Sequence, residues 1–272
     1  MTRRPGFLVY GLLAAFIVGS ALPLYWSFLI GSHTKEVITR DVPPLLPGGH
    51  FLSNAQRVFD SVPFWKALGN SLMVSSVAAT SVVIFGTLAG YAFAKLRFRG
   101  STALLVFVVV TMAVPTQLGV VPLFIVMAKL GWTGSVWAAI VPSIVTAFGV
   151  FFMRQYLVQA LPDELLDAAK VDGATALRTV WSVVLPIARP GMAVLGMLTF
   201  MTAWNDFFWP VIALDTTNPT VQVALAALGG GYVPDTGVIM AGTLVGTLPV
   251  VVVFLLLGRQ IVGGIVAGAV KA

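Results

Sequence analysis

Six long apolar runs constrain this chain more than any other feature of its sequence. A helix of about 20 apolar residues crosses a hydrocarbon core of about 30 Å. Runs of at least this length cover residues 7–30, 67–94, 101–127, 136–157, 192–214 and 238–257. The sequence therefore predicts an all-α membrane protein with six transmembrane helices, organised as one domain over residues 1–272.

The composition supports insertion in a bilayer and excludes several classes of function. With 58% hydrophobic and 10% charged residues and a mean hydropathy of +0.96, the chain has too little polar surface for a soluble domain of 272 residues. It contains no cysteine, and its two histidines, His33 and His50, lie in one hydrophilic loop. We therefore expect no catalytic centre, no metal site and no cofactor bound by this chain. The first run is too long for a cleaved signal, so we expect it to be retained.

The distribution of positive charge predicts the orientation in the membrane. The net charge of +6 comes from residues that flank apolar runs, which does not favour a nucleic-acid partner. Six spans place both termini on one side, and the positive-inside rule makes the side with more Lys and Arg cytoplasmic. That side carries Arg3, Arg4, Lys95, Arg97, Arg99, Arg154, Lys170, Arg178, Arg189, Arg259 and Lys271. Both termini are thus expected in the cytoplasm, and the outward loops over residues 31–66 and 215–237 show no strong helical or strand periodicity.

One polar stretch between the fourth and fifth spans predicts a cytoplasmic helical hairpin over residues 160–190. Pro162 suits the start of a helix, and Asp163 with Glu164 suits the positive end of its dipole. Gly173 can end this helix in a left-handed conformation, and Thr175 can cap a second short helix. We expect Leu185-Pro186 to stop that second helix before the fifth span.

The hairpin has the chemistry of a protein-docking surface. Small side chains allow another protein to approach the backbone, Leu165 and Leu166 offer apolar contact, and several charges surround them. The predicted docking residues are Glu164, Leu165, Asp167, Ala168, Ala169, Lys170, Asp172 and Gly173.

The spacing within this loop resembles that of ATP-binding-cassette (ABC) importer permeases. The residues that carry the resemblance are Asp167-Ala168-Ala169, Gly173, Val183, Leu185 and Pro186, and each keeps the spacing of the family pattern. Further segments are similar to the carbohydrate-uptake branch, in particular to the smaller permease subunit of maltose-type importers. They are residues 70–71, 90–95, 154–156, 204–206 and 264–271.

The resemblance implies the type I ABC importer permease fold and a set of partners. These are a second homologous permease subunit, two nucleotide-binding ATPase subunits that hold ATP and Mg, and an extracytoplasmic solute-binding protein. The hairpin is implied to be the coupling helix that fits the ATPase, with Asp167 in place of the usual glutamate. Because the sequence contains no Gly-x-x-x-x-Gly-Lys loop, the chain is not expected to be an enzyme.

Polar residues within or beside the apolar runs are candidates for the substrate pathway. Asp206 is the sole acid inside an apolar run, where a charge costs about 3 kcal/mol near the bilayer centre. Trp204 and Asn205 beside it suit sugar rings and hydroxyls, but an Asn-Asp pair also satisfies the backbone at a helix break, and the structural role is favoured. The candidates are Asn70, Ser71, Gln117, Trp204, Asn205 and Asp206.

Glycines mark two further features. The resemblance implies that Gly229, Gly230, Gly231 and Tyr232 in the last outward loop reach toward the binding protein, although a flexible turn would have the same composition. Gly86 with Gly90, and Gly242 with Gly246, have the spacing that permits close helix packing.

These observations predict a cell inner-membrane permease subunit of an ATP-driven importer for a sugar or oligosaccharide, working by alternating access. Two alternatives remain open. One is an ABC permease for glycerol phosphate or another polyol, and the other is an ion-coupled secondary transporter. The latter favours intramembrane acid or histidine relays and repeated halves, of which only Asp206 is present.

Overall fold

The computed structural model describes residues 6–39, 44–230 and 234–269, the last with backbone only at residues 257 and 259–269. Regular structure in these ranges is entirely helical. The α-helices are α1 (Phe7–Gly31), α2 (Lys35–Ile38), α3 (Phe51–Ser61), α4 (Phe64–Lys95), α5 (Ser101–Met112), α6 (Val120–Lys129), α7 (Val136–Ile140), α8 (Ala147–Ala160), α9 (Asp163–Val171), α10 (Ala176–Thr179), α11 (Leu185–Trp204), α12 (Phe208–Ala213), α13 (Val221–Leu228) and α14 (Thr236–Ala269).

The apolar helices reproduce the six predicted runs. Within the described ranges, five uninterrupted or nearly uninterrupted segments are long and apolar enough to cross a membrane, and a bent pair of helices brings the number to six. The five segments are Phe7–Gly31, Phe64–Lys95, Val136–Ala160, Ala176–Trp204 and Thr236–Leu256. The chain is therefore an all-α, multi-pass membrane protein, as predicted.

The third run, predicted as one span over residues 101–127, is sharply bent and consists of two helical segments. The segments Ser101–Met112 and Thr116–Lys129 meet at an angle of 92°. Pro115 lies at this break, where it lacks an N–H for the helix ladder and keeps the preceding residue out of the helical region. A short 3-10 turn at Thr116–Gly119 then leads into α6.

The fourth run is also interrupted at a proline. After α7, a 3-10 turn at Val141–Ser143 contains Pro142, and α8 starts afresh four residues later. Thr146 caps the new helix, because its hydroxyl oxygen accepts a hydrogen bond of 3.1 Å from the Gly149 N–H. The Trp209 indole N–H donates to the Ala138 carbonyl at 2.8 Å and so holds α12 against α7.

The fifth run differs most from expectation. Leu185-Pro186 was predicted to stop a short helix, but the helix continues from Ala176 through Pro186 to Trp204. A π-helical turn at Val180–Val184 precedes the proline. This wider turn accommodates the missing N–H and the ring of Pro186 without ending the helix. The helix then ends at Trp204, so the predicted span over residues 192–214 starts too late and includes a break before α12.

Three helices, α2, α3 and α13, lie in loops for which no periodicity was predicted. Helix α3 buries Asn54 and Val58, one turn apart, and leaves its opposite face exposed. The Asn54 amide donates to the carbonyls of Gly31 (3.0 Å) and His33 (2.8 Å) and thus holds α3 to the end of α1. Helix α13 lies in the second outward loop. A short amphipathic helix of this kind is stabilised by tertiary contact more than by its own sequence.

The described chain divides into two compact units. The first contains the residues up to Trp65 with Val223–Leu248, and an ion pair of 2.8 Å joins Arg57 to Asp235 within it. The second contains Lys66–Gln222 and the residues from Pro249 onward. Organisation as one domain stays a prediction.

The core of the second unit depends on close helix contacts. Its main apolar cluster consists of Val82, Met153, Leu157, Leu161, Leu166, Val184, Ala188 and Leu195. Helices α4 and α8 approach closely enough that a Cβ at Gly90 would lie 2.7 Å from the Arg154 backbone nitrogen, and one at Gly86 would lie 3.0 Å from Gly149. The predicted packing role of these two glycines is confirmed.

We predict that Gly90→Ala destabilises the chain, whereas Gly69→Ala on the same helix does not. A methyl group at Gly90 forces α4 and α8 apart, and overpacking of this kind costs about 1–3 kcal/mol. A Cβ at Gly69 meets no atom within 4 Å, so alanine there should increase stability slightly through its helix propensity. Thermal unfolding of the purified chain in detergent measures both effects. Equal shifts in Tm for the two variants would contradict the close approach of α4 and α8.

Candidate docking helix and polar cavity

The ends of α9 are set by the residues that the sequence indicated. Pro162 is the N-cap residue, with φ −64° and ψ 143°, and Asp163 and Glu164 occupy the first turn. At the other end Gly173 has φ +70°, its N–H donates to the Lys170 carbonyl at 3.0 Å, and the Ala174 N–H donates to Ala169 at 2.9 Å. This pair of hydrogen bonds is a Schellman motif, which requires a left-handed residue at the position of the glycine.

The two faces of α9 have different environments. Leu166 and Ala169 are buried, and Leu166 belongs to the core cluster of the second unit. The remaining predicted docking residues, Glu164, Leu165, Asp167, Ala168, Lys170, Asp172 and Gly173, are all exposed. Ala169 and Leu166 therefore anchor the helix to its own chain, and the other face is free to receive a partner.

A second helix continues from this surface and adds apolar residues to it. The Thr175 hydroxyl caps α10 by accepting a hydrogen bond of 3.3 Å from the Arg178 N–H, as predicted. Val171 before the turn and Leu177 after it are 88% and 69% exposed. Neither residue was predicted for docking, and their only signal in the sequence is apolar character within a polar loop.

One ion pair ties α9 to the end of α4. The Lys95 ammonium lies 2.7 Å from a carboxylate oxygen of Asp163, and the Lys95 side chain is 9% exposed. This contact lowers the pKa of the Asp163 carboxyl below its ordinary value. Because Lys95 is the last residue of α4, the ion pair connects the first residue of the docking helix directly to a membrane span.

A second ion pair lies on the exposed face of α9. Asp167 and Lys170 are 2.7 Å apart and are three residues apart on the helix. The hydrogen bond from Lys170 to Asp167 raises the pKa of the lysine. Both side chains are largely exposed, so solvent weakens this pair and it can open for another partner.

A polar cavity of about 590 Å³ lies within the second unit. Helices α4, α8 and α11 contribute to its wall, together with the residues at three helix breaks. Its polar residues are Thr116, Ser143, Thr146, Thr199, Thr202 and Asp206. The Asp206 carboxylate accepts from the backbone N–H groups of Phe208 and Trp209 at the start of α12.

The structure separates the six predicted pathway residues. Asp206 lines the cavity, and the exposed Gln117 lies beside the lining residue Thr116. The Asn70 amide donates to the Pro219 carbonyl at 2.9 Å, and Ser71 accepts from the Val221 N–H at 2.8 Å. These two contacts hold the chain that leads into α13.

The other two pathway candidates lie beside Asp206. Trp204 is 2% exposed and stacks on Phe200 with ring centroids 5.7 Å apart. The Asn205 amide donates to the Met201 carbonyl at 2.9 Å and lies within 3.5 Å of Gln222. A buried aromatic ring and an amide that satisfies the last turn of α11 both support the end of this helix.

The cavity is also lined by residues that were not predicted for the pathway, among them Thr116, Ser143, Thr146 and Thr199. Hydroxyl residues are common in membrane helices, so their type alone carries little information. For two of them position is the useful signal, since Ser143 directly follows Pro142 and Thr146 lies four residues after it. The described part of the chain contains no group of acidic and histidine side chains able to hold a metal ion.

Several predicted positions lie partly or wholly outside the described residues. Gly229 and Gly230 follow the end of α13, with their N–H groups bonded to Ala226 and Ala227. Gly231 and Tyr232 lie outside the described residues, as do Arg3, Arg4 and Lys271. The contact of residues 229–232 with a binding protein therefore stays a prediction.

The apolar spans, the anchored helix α9 and the polar cavity are together typical of membrane transport permeases. Residues 82–264 match the family of binding-protein-dependent transport system inner membrane components. The match extends over about two thirds of the chain, and the chain belongs to this family.

Curated relatives extend the similarity to nearly the full length. The chain is 32% identical to the arabinooligosaccharides transport system permease protein AraQ of Halalkalibacterium halodurans over 76% of this chain and 75% of the relative. It is 30% identical to the lactose transport system permease protein LacG of Rhizobium radiobacter over 99% and 97%. It is 27% identical to the sn-glycerol-3-phosphate transport system permease protein UgpE of Shigella flexneri over 97% and 98%.

A solved structure supports the fold. A chain of a bacterial ABC transporter involved in the import of the acidic polysaccharide alginate has a TM-score of 0.76 and 24% identity, with coverage of 95% of this chain and 99% of that chain. The type I importer permease fold that the sequence implied is confirmed.

We predict that Lys95→Met raises the pKa of the Asp163 carboxyl back toward its ordinary value. The pKa of Asp163 is depressed in the folded state. The ion pair therefore holds α9 to α4 at pH values above the ordinary titration range of aspartate, and it is lost as the pH falls through the folded-state pKa. Carbon NMR of labelled aspartate carboxyls measures the shift. Lys170→Met leaves Lys95 in place and removes a weaker favourable charge, so it should raise the pKa of Asp163 by less. An unchanged titration of Asp163 in Lys95→Met would show that the ion pair is not formed.

Proposed function

We propose that this protein is a permease subunit of an ATP-driven importer for a sugar or oligosaccharide and that it works by alternating access. Membership in the binding-protein-dependent family supports the transport role. The names of two relatives that are at least 30% identical, which transport arabinooligosaccharides and lactose, support the carbohydrate class. The single observation that carries the mechanism is the difference between the two faces of α9. One face is buried against the core of the second unit, and the other is exposed.

The anchored face explains how movement of α9 reaches the spans. Leu166 contacts the cluster that includes Met153 and Leu157 of α8 and Ala188 of α11. The Lys95–Asp163 ion pair adds a connection to α4. A force applied to the exposed face is therefore transmitted to three spans at once, and closely packed elements move as rigid bodies instead of deforming.

The source of the force is a separate ATPase. Two nucleotide-binding subunits, each holding ATP and Mg, close on hydrolysable nucleotide and move the α9 of this chain and the equivalent helix of a second, homologous permease. This chain itself binds no cofactor and catalyses no reaction. An extracytoplasmic solute-binding protein delivers the cargo, and residues 229–232 contact it.

The orientation follows from this arrangement. Helix α9 and both termini lie on the cytoplasmic side of the inner membrane, in agreement with the excess of Lys and Arg there. Asp167 exchanges Lys170 for a basic residue of the ATPase, because its present partner is exposed and weakly held. The docking surface is the exposed set Glu164, Leu165, Asp167, Ala168, Lys170, Asp172 and Gly173, with Ala169 as an anchor.

Two alternatives lead to different experiments. An importer of glycerol phosphate or another polyol keeps the same machinery, and one relative is named for sn-glycerol-3-phosphate. An ion-coupled secondary transporter needs no ATPase and relies on intramembrane ionisable groups. Among the described residues that line the cavity, Asp206 is the sole ionisable group.

We predict that the reconstituted importer takes up sugar only when its ATPase hydrolyses ATP. The test uses proteoliposomes that contain this chain, its partner permease, the ATPase and the binding protein, with and without a hydrolysis-dead ATPase. Uptake should fall to background in the dead complex. Sugar uptake that persists there, or that follows an ion gradient without ATP, would contradict the proposal.

We predict that Ala168→Trp abolishes copurification of the ATPase and lowers uptake at least about tenfold, because a large side chain blocks the close approach that alanine permits. Ala103→Trp is the matched control, since Ala103 is also exposed but lies on α5. Retention of the ATPase by Ala168→Trp at the level of the control would remove α9 from the interface.

A further inference from the structure

The polar cavity combines hydroxyl groups, one carboxylate and apolar surface. We propose that it is a binding site in this subunit for an uncharged, hydroxyl-rich cargo, and that Asp206 discriminates against anionic cargo. This inference rests on the proposed function and adds the charge class of the substrate.

Two hydroxyl groups of the cavity donate their protons to carbonyls of their own helical turns. The Ser143 hydroxyl donates to the Ile140 carbonyl at 2.7 Å, and the Thr202 hydroxyl donates to the Leu198 carbonyl at 2.8 Å. Each of these two hydroxyl oxygens retains the capacity to accept a hydrogen bond, and the ionised Asp206 carboxylate accepts only. Sugar hydroxyls can donate to these oxygens, whereas a fully ionised phosphate has no proton to donate.

The negative charge of the cavity also favours an uncharged cargo over an anionic one. Asp206 is held in place by the N–H groups of Phe208 and Trp209, so its carboxylate has a fixed position at the wall. None of the described residues that line the cavity is cationic. The negative charge at this position repels a like charge at short range. An anionic cargo therefore meets a barrier that an uncharged one does not.

The size and the apolar wall also suit a sugar. A volume of about 590 Å³ falls within the range of about 300–1,000 Å³ that is usual for small-molecule sites. Phe148 is a half-exposed aromatic ring at the cavity and, with Leu198 and Pro210, provides flat apolar surface. Aromatic and aliphatic surface of this kind contacts the C–H faces of sugar rings while the hydroxyls bond to oxygen atoms.

The absence of cysteine from the chain permits a test that does not require the cargo to be known. Thr202→Cys places a thiol one helical turn before Asp206, and both positions line the cavity. The complete complex, with cysteine-free partners, is treated with cationic and anionic methanethiosulfonate reagents, and each rate is normalised to the rate with free cysteine. We expect the cation to react about tenfold faster than the anion.

Asp206→Asn in the Thr202→Cys background is the decisive variant, because asparagine keeps the acceptor at the start of α12 and removes only the charge. The preference for the cationic reagent should fall at least about fivefold. Asp215→Asn makes the same chemical change in the loop after α12 and should leave the preference unchanged. Thr199→Cys provides a second reporter if Thr202→Cys does not fold. A preference near unity, or one that Asp206→Asn does not alter, overturns the charge selection.

Protection experiments separate this inference from the proposed function. Lactose, arabinotriose and sn-glycerol 3-phosphate are each tested for ATP-dependent uptake and for slowing of the thiol reaction. An imported sugar should protect the thiol, and glycerol phosphate should be neither imported nor protective. Import of a sugar without protection overturns the cavity as its binding site but leaves the importer intact. A complex that imports none of the three compounds and binds no ATPase overturns the proposed function itself.

Discussion

The burial of Leu166 is the contact on which the mechanism depends. Helix α9 has only nine residues, which is too short for an isolated helix to be stable in water. Complete burial of a leucine side chain contributes about 1.5–3 kcal/mol, and Leu166, which is 7% exposed, comes close to it among residues of α8 and α11. The same contact that stabilises the helix therefore couples it mechanically to the spans. The Schellman turn at Gly173 ends the helix at a defined residue, so its exposed face has a fixed length and direction.

A second constraint, the need to satisfy the backbone within a bilayer, accounts for the position of the cavity. Non-helical backbone at membrane depth is tolerated where it lines a cavity or contacts protein. Three helix breaks, after Pro115, after Pro142 and after Trp204, supply Thr116, Ser143, Thr146 and Asp206 to one cavity. Ser143 and Thr146 also form hydrogen bonds with the backbone of their own turns. The interruptions of the spans thus supply most of the polar residues of the cavity wall.

The sequence predicts the parts of this structure that depend on local chemistry. Long apolar runs identify the spans, and Gly173 and Thr175 identify the end of α9 and the start of α10, because capping depends on a few adjacent residues. The spacing of Gly86 and Gly90 correctly indicates a close helix contact. The sequence predicts the docking face as a set of residues. It does not indicate which residues of α9 anchor the helix, because the burial of Leu166 and Ala169 depends on tertiary contacts.

Features that depend on tertiary contact cannot be predicted from the local sequence. Leu185-Pro186 has the pattern of a helix stop, yet a π-helical turn carries the helix past it, and nothing in the local sequence specifies that turn. Helix α3 is missed because a few contacts, such as those of Asn54, hold it in place. Ser143, Thr146 and Thr199 are separated in sequence and become a site only when the breaks converge. Pro115 accounts for a break in its span, but nothing in the local sequence specifies the angle of 92°.

A structure of the assembled importer by electron cryomicroscopy in two nucleotide states would test the proposed mechanism. The mechanism requires the exposed face of α9 to contact an ATPase subunit in both states. It also requires α9 to move together with the adjoining parts of α8 and α11, with Leu166 still buried between them. A structure in which α9 faces bulk solvent in both states, or in which it moves while α8 and α11 stay fixed, would contradict it.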